Sequence, residues 1–278
     1  MLSQQTLGVE YEDWSHWLAA DSALAVQTNR FEKTLPYTRS IAHDIGWQWR
    51  IPLTHRNGNG IVFSSQYMND EQAHDRLINN LDSDPVNDVR KINFKTGRTK
   101  EQWHKNVISI GLSSGFLEPL ESTSIHLIQS AVVRLCKLFP HHGIQQSAVD
   151  LYNDESKTEY ETIRDFIILH YYVNERNDSD FWQDMRRLPL PDRLAQKIQV
   201  FSDVGEIFND QHDIFRDASW LQVMLGQGIL PKDYHPAANQ MSDAQLQDTL
   251  AKVAAAKRQP LAKMLPHDDF LAHYLNIT

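Results

Sequence analysis

Residues 115 to 124, Gly-Phe-Leu-Glu-Pro-Leu-Glu-Ser-Thr-Ser, bring two carboxylates and three hydroxyls into one short stretch. An apolar run, Val107 to Leu112, precedes them, and apolar spacing predicts a helix from Ile125 to Phe139. A buried strand that turns into a helix opening with Glu121-Ser122-Thr123-Ser124 makes a seat for an anion. The first helical turn leaves backbone N–H groups without partners, and the macrodipole adds partial positive charge there. Glu121 stands beside that seat as a candidate general base. Pro119 and Leu120 make its surroundings apolar, and a desolvated carboxylate suits proton abstraction. Ser122 either caps the helix or orients a ligand. Glu118 and Glu121 could form an acid/base pair, but Glu118 reads better as an ordinary first-turn carboxylate.

A second group of candidates is aromatic. In Trp47-Gln48-Trp49 the two indoles point to one face of a strand, where coplanar rings could stack on a flat ligand. The competing reading is an aromatic core face, and it is the preferred one from this motif alone. His170-Tyr171-Tyr172 and Phe181-Trp182 flank the polar segment Glu175 to Ser179. They either close a pocket wall or pack a helical core, and the sequence alone leaves both open.

The elements that must position these groups follow from pattern. Gly46 to Leu53 and Gly60 to Tyr67 alternate, and Thr54 to Gly60 between them has turn chemistry, so a β-hairpin is expected. Asn69-Asp-Glu-Gln72 reads as a capped helix start, with the helix running to about Leu81. Val89 to Thr96 is an expected strand. Beyond Pro140 the pattern is helical: Ala148 to Tyr172, Asp192 to Phe201, an apolar segment from Trp220 to Leu225, and Ser242 to Leu261. The fold class is therefore α+β (mixed). Residues 1–140 form a strand-bearing part and residues 141–278 a mainly helical subdomain.

Composition narrows the function classes. The chain has 278 residues, 27 Lys plus Arg against 36 Asp plus Glu, and a net charge of −9, which argues against a nucleic-acid or anionic-membrane surface. One cysteine, Cys136, rules out a disulfide framework within the chain and suits a reducing cytoplasm. No apolar run is long enough to span a bilayer. The 13 histidines are scattered, without a His-x-x-x-His or Cys-x-x-Cys pair, so no metal site is expected.

Gly46-Trp47-Gln48-Trp49-Arg50-Ile51-Pro52 resembles the W-x-W-x-I-P signature of flavin-dependent tryptophan halogenases. Gly111 to Ser124 is similar to that family's active-site segment. Tyr11 to Trp17, Pro36 to Arg39 and Asp178 to Trp182 fit it in the same order, so the resemblance covers nearly the whole chain. It implies part of a flavin-monooxygenase-like α/β domain followed by a helical cap over the substrate. It also implies FAD as cofactor, reduced by a separate flavin reductase, and an aromatic substrate, typically an indole. Chloride or bromide would be oxidised to hypohalous acid and relayed by a lysine to the ring. By position, Glu121 is similar to the family's essential glutamate and Ser122 to its hydroxyl neighbour. Thr123 and Ser124 fall where backbone amides hold the halide, and Leu112 and Ile125 at flavin contacts. Trp47 and Trp49 would wall the flavin from the substrate. His170, Tyr171, Asn177, Phe181 and Trp182 would belong to the substrate pocket.

The chain also departs from the family. Ser124 stands in place of a usual glycine, His170 in place of a tyrosine, and Asn177 in place of a glutamate that holds the amino end of free tryptophan. A plain indole, a peptide-bound ring or another aromatic is then at least as good a substrate. The Gly-x-Gly-x-x-Gly turn that seats FAD in such enzymes has no counterpart here, and no lysine takes the relay role. The expectation is a C-terminal portion of a halogenase, inactive alone. Alternatives are half of a split enzyme with a separate N-terminal chain, a non-catalytic aromatic-binding remnant and, more weakly, a flavin hydroxylase.

Overall fold

Alternating strands at 47–52 and 57–63 pair as the expected hairpin, and a sheet is built around them. The computed structural model describes residues 2–209 and 213–275. In chain order its strands are β1 (Tyr11–Asp13), β2 (Ser22–Thr28), β3 (Arg39–Ala42), β4 (Trp47–Pro52) and β5 (Asn57–Phe63). Helix α1 (Asp70–Ile78) precedes β6 (Arg90–Asn93), β7 (Gly97–Thr99), β8 (Trp103–His104), β9 (Val107–Ile108) and β10 (Gly115–Phe116). Helices α2 (Ser124–Lys137), α3 (Gln146–Tyr172), α4 (Asp180–Arg187), α5 (Asp192–Val204), α6 (Asp217–Gly226), α7 (Asp243–Arg258) and α8 (His267–Leu275) complete the order.

A five-stranded antiparallel sheet runs β3-β4-β5-β2-β6, and a small sheet runs β1-β7-β10. The hairpin register sets Trp47 against Val62 and Trp49 against Gly60. Its turn is Leu53 to Arg56, closed by the Leu53 N–H on the Arg56 carbonyl at 2.9 Å. Asn57-Gly58-Asn59-Gly60 lies inside β5 rather than in the turn, for a packing reason. A Cβ on Gly60 would sit 2.0 Å from the Trp49 ring and 2.5 Å from the Leu24 carbonyl. The two asparagines are buried, Asn57 donating to the Asn29 carbonyl and Asn59 to Thr28 Oγ1.

Helix α1 starts on the expected capping box, with Asn69 and Gln72 each bonding the other's backbone N–H. The apolar run 107–112 is not a buried strand. It pairs only over Val107–Ile108, and Gly111, at φ +66°, turns the chain into a 3₁₀ turn that leaves Leu112 77% exposed.

One core joins strands and helices. Trp14, Leu18, Trp47 and Val62 pack with Ile163, Phe166, Ile167 and Tyr171 of α3, and with Phe181, Phe201 and Trp220 of α4, α5 and α6. Helix α3 is the central element. Its C-terminal half is buried almost all round, so it serves as the wall against which the site is built. Among the described residues no helix is long and apolar enough to cross a membrane.

Candidate active site

The chain leaves β10 into Leu117-Glu118, makes a 3₁₀ turn at Pro119–Glu121, and reverses at Ser122 before α2 begins at Ser124. Ser122 holds φ 54° and ψ 34°, a left-handed conformation that non-glycine residues seldom adopt. Helix α2 therefore does not open at Glu121. Thr123 is its N-cap, buried and without a side-chain cap bond, and Ser124 is exposed in the first turn. Ser122 does not cap it; its Oγ donates back to the Pro119 carbonyl at 3.5 Å.

The desolvated carboxylate is Glu118, not Glu121. Glu118 is 0% exposed at the base of the site. Its Oε1 accepts from the Tyr171 hydroxyl at 2.7 Å and from Trp47 Nε1 at 3.3 Å, while Oε2 has no partner. Burial pushes its pKa up to about 7, against the pull of those two donors and of the nearby His170. The Tyr171 hydroxyl, buried beside that carboxylate, is raised well above its ordinary value and stays a donor. The sequence pattern reads Glu118 as an ordinary first-turn carboxylate. The available signal was its setting in Phe116-Leu117-Glu118-Pro119-Leu120, which is more apolar than the setting of Glu121.

Glu121 is partly exposed and faces His170, with Oε1 3.0 Å from Nε2. His170 is fixed in turn by the Phe166 carbonyl, 2.8 Å from Nδ1. The 3₁₀ turn thus lays Glu121 against the C-terminal end of α3, a meeting that no local pattern announced.

A cavity of ≈ 490 Å³ opens above these groups, walled by Trp47, Leu120, His170, Tyr171 and Trp182. Tyr171 and Trp182 stack, with centroids 5.6 Å apart and planes 25° from parallel, and Trp182 Nε1 donates to the His43 carbonyl at 2.7 Å. Its polar edge includes Asn174, Glu175 and Arg176, the last paired with Asp178. The expected coplanar Trp47–Trp49 pair is not formed. Their rings are tilted by 60°, and only Trp47 lines the cavity; Trp49 lies over Gly60, where the missing side chain leaves room. Phe181 is also outside the cavity, in the core against Tyr67, Tyr171 and Trp182. Asn177 turns away from it and accepts from Arg186 at 2.6 Å.

Leu112, in the 3₁₀ turn begun at Gly111, and Ile125, in the first turn of α2, are 77% and 78% exposed. Gly46, Gly60, Gly97 and Gly115 do not fit a diphosphate cradle, because each is filled by neighbouring backbone or rings. Ile128, Val132 and Val133 continue the exposed apolar stripe along α2. Among the described residues no group of His, Cys, Asp or Glu could hold a metal ion.

The fold is shared with flavin-dependent halogenases. The tryptophan halogenase family model matches residues 1–243. Tryptophan 7-halogenase KtzQ of Kutzneria sp. is 32% identical over 81% of this chain and 45% of its own length. The 7-chloro-L-tryptophan 6-halogenase KtzR of the same organism is 32% identical over 99% of this chain and 53% of its own. The structure of Xcc4156, a flavin-dependent halogenase from Xanthomonas campestris, superposes with a TM-score of 0.96 at 44% identity, covering 98% of this chain and 55% of that one. BrvH, a flavin-dependent halogenase from Brevundimonas sp. BAL3, gives 0.92 at 45% identity over 96% and 55%. The chain spans about half the length of the curated relatives it matches. It belongs to the tryptophan halogenase family.

Proposed function

We propose that this chain forms the substrate-binding half of a flavin-dependent halogenase that chlorinates or brominates an indole or related aromatic ring. The observation that supports this best is Glu121, held by His170 beside a ring-sized cavity walled by Trp47, Tyr171 and Trp182. In this reading Glu121 is the group beside the reacting carbon and takes the ring proton. Tyr171 and Trp182 hold the ring by stacking, and Trp47 separates it from the flavin side. Thr123 and Ser124 offer first-turn amides to a halide. Leu112 and Ile125 would meet the flavin edge, and Ser122 fixes the bend that presents Glu121. Bound reduced FAD, supplied by a flavin reductase, would activate molecular oxygen, the oxidant that turns halide into an electrophile. Residues 141–278 cap the substrate, and the enzyme works in the reducing cytoplasm.

Free tryptophan is a poor fit. Asn177 is committed to Arg186 and supplies no carboxylate for an ammonium group; the carboxylate on the cavity's edge is that of Glu175. The stripe of Leu112, Ile125, Ile128, Val132 and Val133 is suited to packing against a flavin-binding portion, on this chain or a separate one. Without that portion the chain neither retains FAD nor halogenates. The decisive variant is Glu121→Gln. In an enzyme completed with a flavin-binding portion it abolishes halide-dependent product, while indole binding to the 278-residue chain, followed by calorimetry, is largely kept. Retained turnover in the variant would overturn the assignment. A second reading, an aromatic-binding module without chemistry, draws on the aromatic walls that this chain supplies to the cavity. Indole binding without turnover in any completed enzyme would select it.

A further inference from the structure

His170 has both ring nitrogens engaged. Nδ1 lies 2.8 Å from the Phe166 carbonyl oxygen, and a carbonyl only accepts, so Nδ1 carries a proton. Nε2 is then the ring atom that gains and loses one, and it faces Glu121 Oε1 at 3.0 Å. That contact needs one proton, on either the imidazole or the carboxyl. The ring is held edge-on to Phe166, with centroids 4.9 Å apart and planes at 90°, so it cannot swing away without losing both partners. Its side chain is 22% exposed and lines the cavity.

The other charged or titratable groups around it are few. Glu118 and Tyr171 lie beneath it in the site, and Glu175 and Arg176 share the cavity wall. Arg176 is taken by Asp178, through Nε at 3.1 Å and a second, shorter contact. The ion-pair partner of Glu121 in the site is His170.

We propose that His170 is the positioning residue for Glu121 and holds the proton shared with it while Glu121 collects a second. The identity of the step rests on the halogenation reading; the paired geometry does not. As the ring carbon bearing the new halogen loses its hydrogen, the C–H electron pair returns to the ring and the proton goes to Glu121 Oε2. That proton then leaves Oε2 for water, while the proton between Oε1 and Nε2 stays in its contact. The pair ends with the single shared proton it began with.

The test is nuclear magnetic resonance of the 278-residue chain labelled with ¹⁵N-histidine and ¹³C-glutamate, with His170→Gln and Glu121→Gln used for assignment. The expected result is an Nδ1 that stays protonated from about pH 5 to about pH 9, while Nε2 and the Glu121 carboxyl carbon titrate together. His170→Phe abolishes that shared titration. A merely structural imidazole would leave Glu121 titrating on its own, and that outcome, or an Nε2–H tautomer at high pH, overturns the proposal. In a completed enzyme His170→Phe lowers kcat roughly tenfold or more, with little change in KM for the ring, and removes one limb of the pH profile. Unchanged kcat overturns the positioning role. Shared titration in a completed enzyme that yields no halogenated product overturns the halogenation reading instead and leaves the pairing intact.

Discussion

Replacing Glu118 by glutamine tests whether the base of the site is a buried carboxyl held near neutrality. The side chain is 0% exposed, and burial lifts its pKa from 4.5 to about 7. Below pH 4.5 the group is protonated in both folded and unfolded chains and contributes no pH dependence. Between 4.5 and about 7 the folded state holds a proton that the unfolded state has lost, so stability falls as pH rises. At about 1.4 kcal/mol per pKa unit, the total is about 3 kcal/mol, complete above about pH 7. The introduced amide keeps an oxygen for the Tyr171 and Trp47 donors and places its NH₂ where Oε2 already has no partner. That NH₂ carries its own cost of about 1–3 kcal/mol at every pH. The stability difference between variant and parent should therefore move by about 3 kcal/mol in the variant's favour from about pH 4.5 to about pH 8. Urea unfolding of both proteins across that range measures it, and other ionisable groups cancel in the difference. A difference that stays constant with pH would refute the buried-carboxyl argument.

Two further substitutions test the packing. Gly60→Ala forces a methyl into the Trp49 ring and the Leu24 carbonyl and should cost about 1–3 kcal/mol in thermal unfolding. Gly58→Ala, whose Cβ would meet only Ile51 atoms at 3.9 Å, should cost distinctly less. Val132→Lys on the exposed stripe of α2 should change stability by no more than about 0.5 kcal/mol. It should also reduce self-association of the isolated chain in light scattering.

Much of the fold was legible because it is written in local periodicity. The capping box at Asn69 and Gln72 starts α1, and the apolar spacing of Tyr160, Ile163, Ile167 and Tyr171 marks α3. The hairpin was legible too, but its turn was misplaced. Asn-Gly-Asn-Gly carries turn chemistry only as a local prior, and here the glycine serves an indole on the neighbouring strand. The apolar run 107–112 misled for the opposite reason. Its leucine is exposed on this chain, so hydrophobicity marked a surface rather than a core.

By itself the sequence determined the family, through W-x-W-x-I-P and the segment 111–124, and it placed Glu121 at the site beside a helix start. Tertiary structure alone decided what each carboxylate is. Glu118 is buried because Tyr171 and Trp47, which lie 53 and 71 residues away in sequence, close over it. Glu121 stays partly exposed, in the 3₁₀ turn that the left-handed Ser122 ends, and meets His170 at the end of α3. Local composition sets which residues are available, but burial and proton sharing depend on groups that only long-range packing brings together.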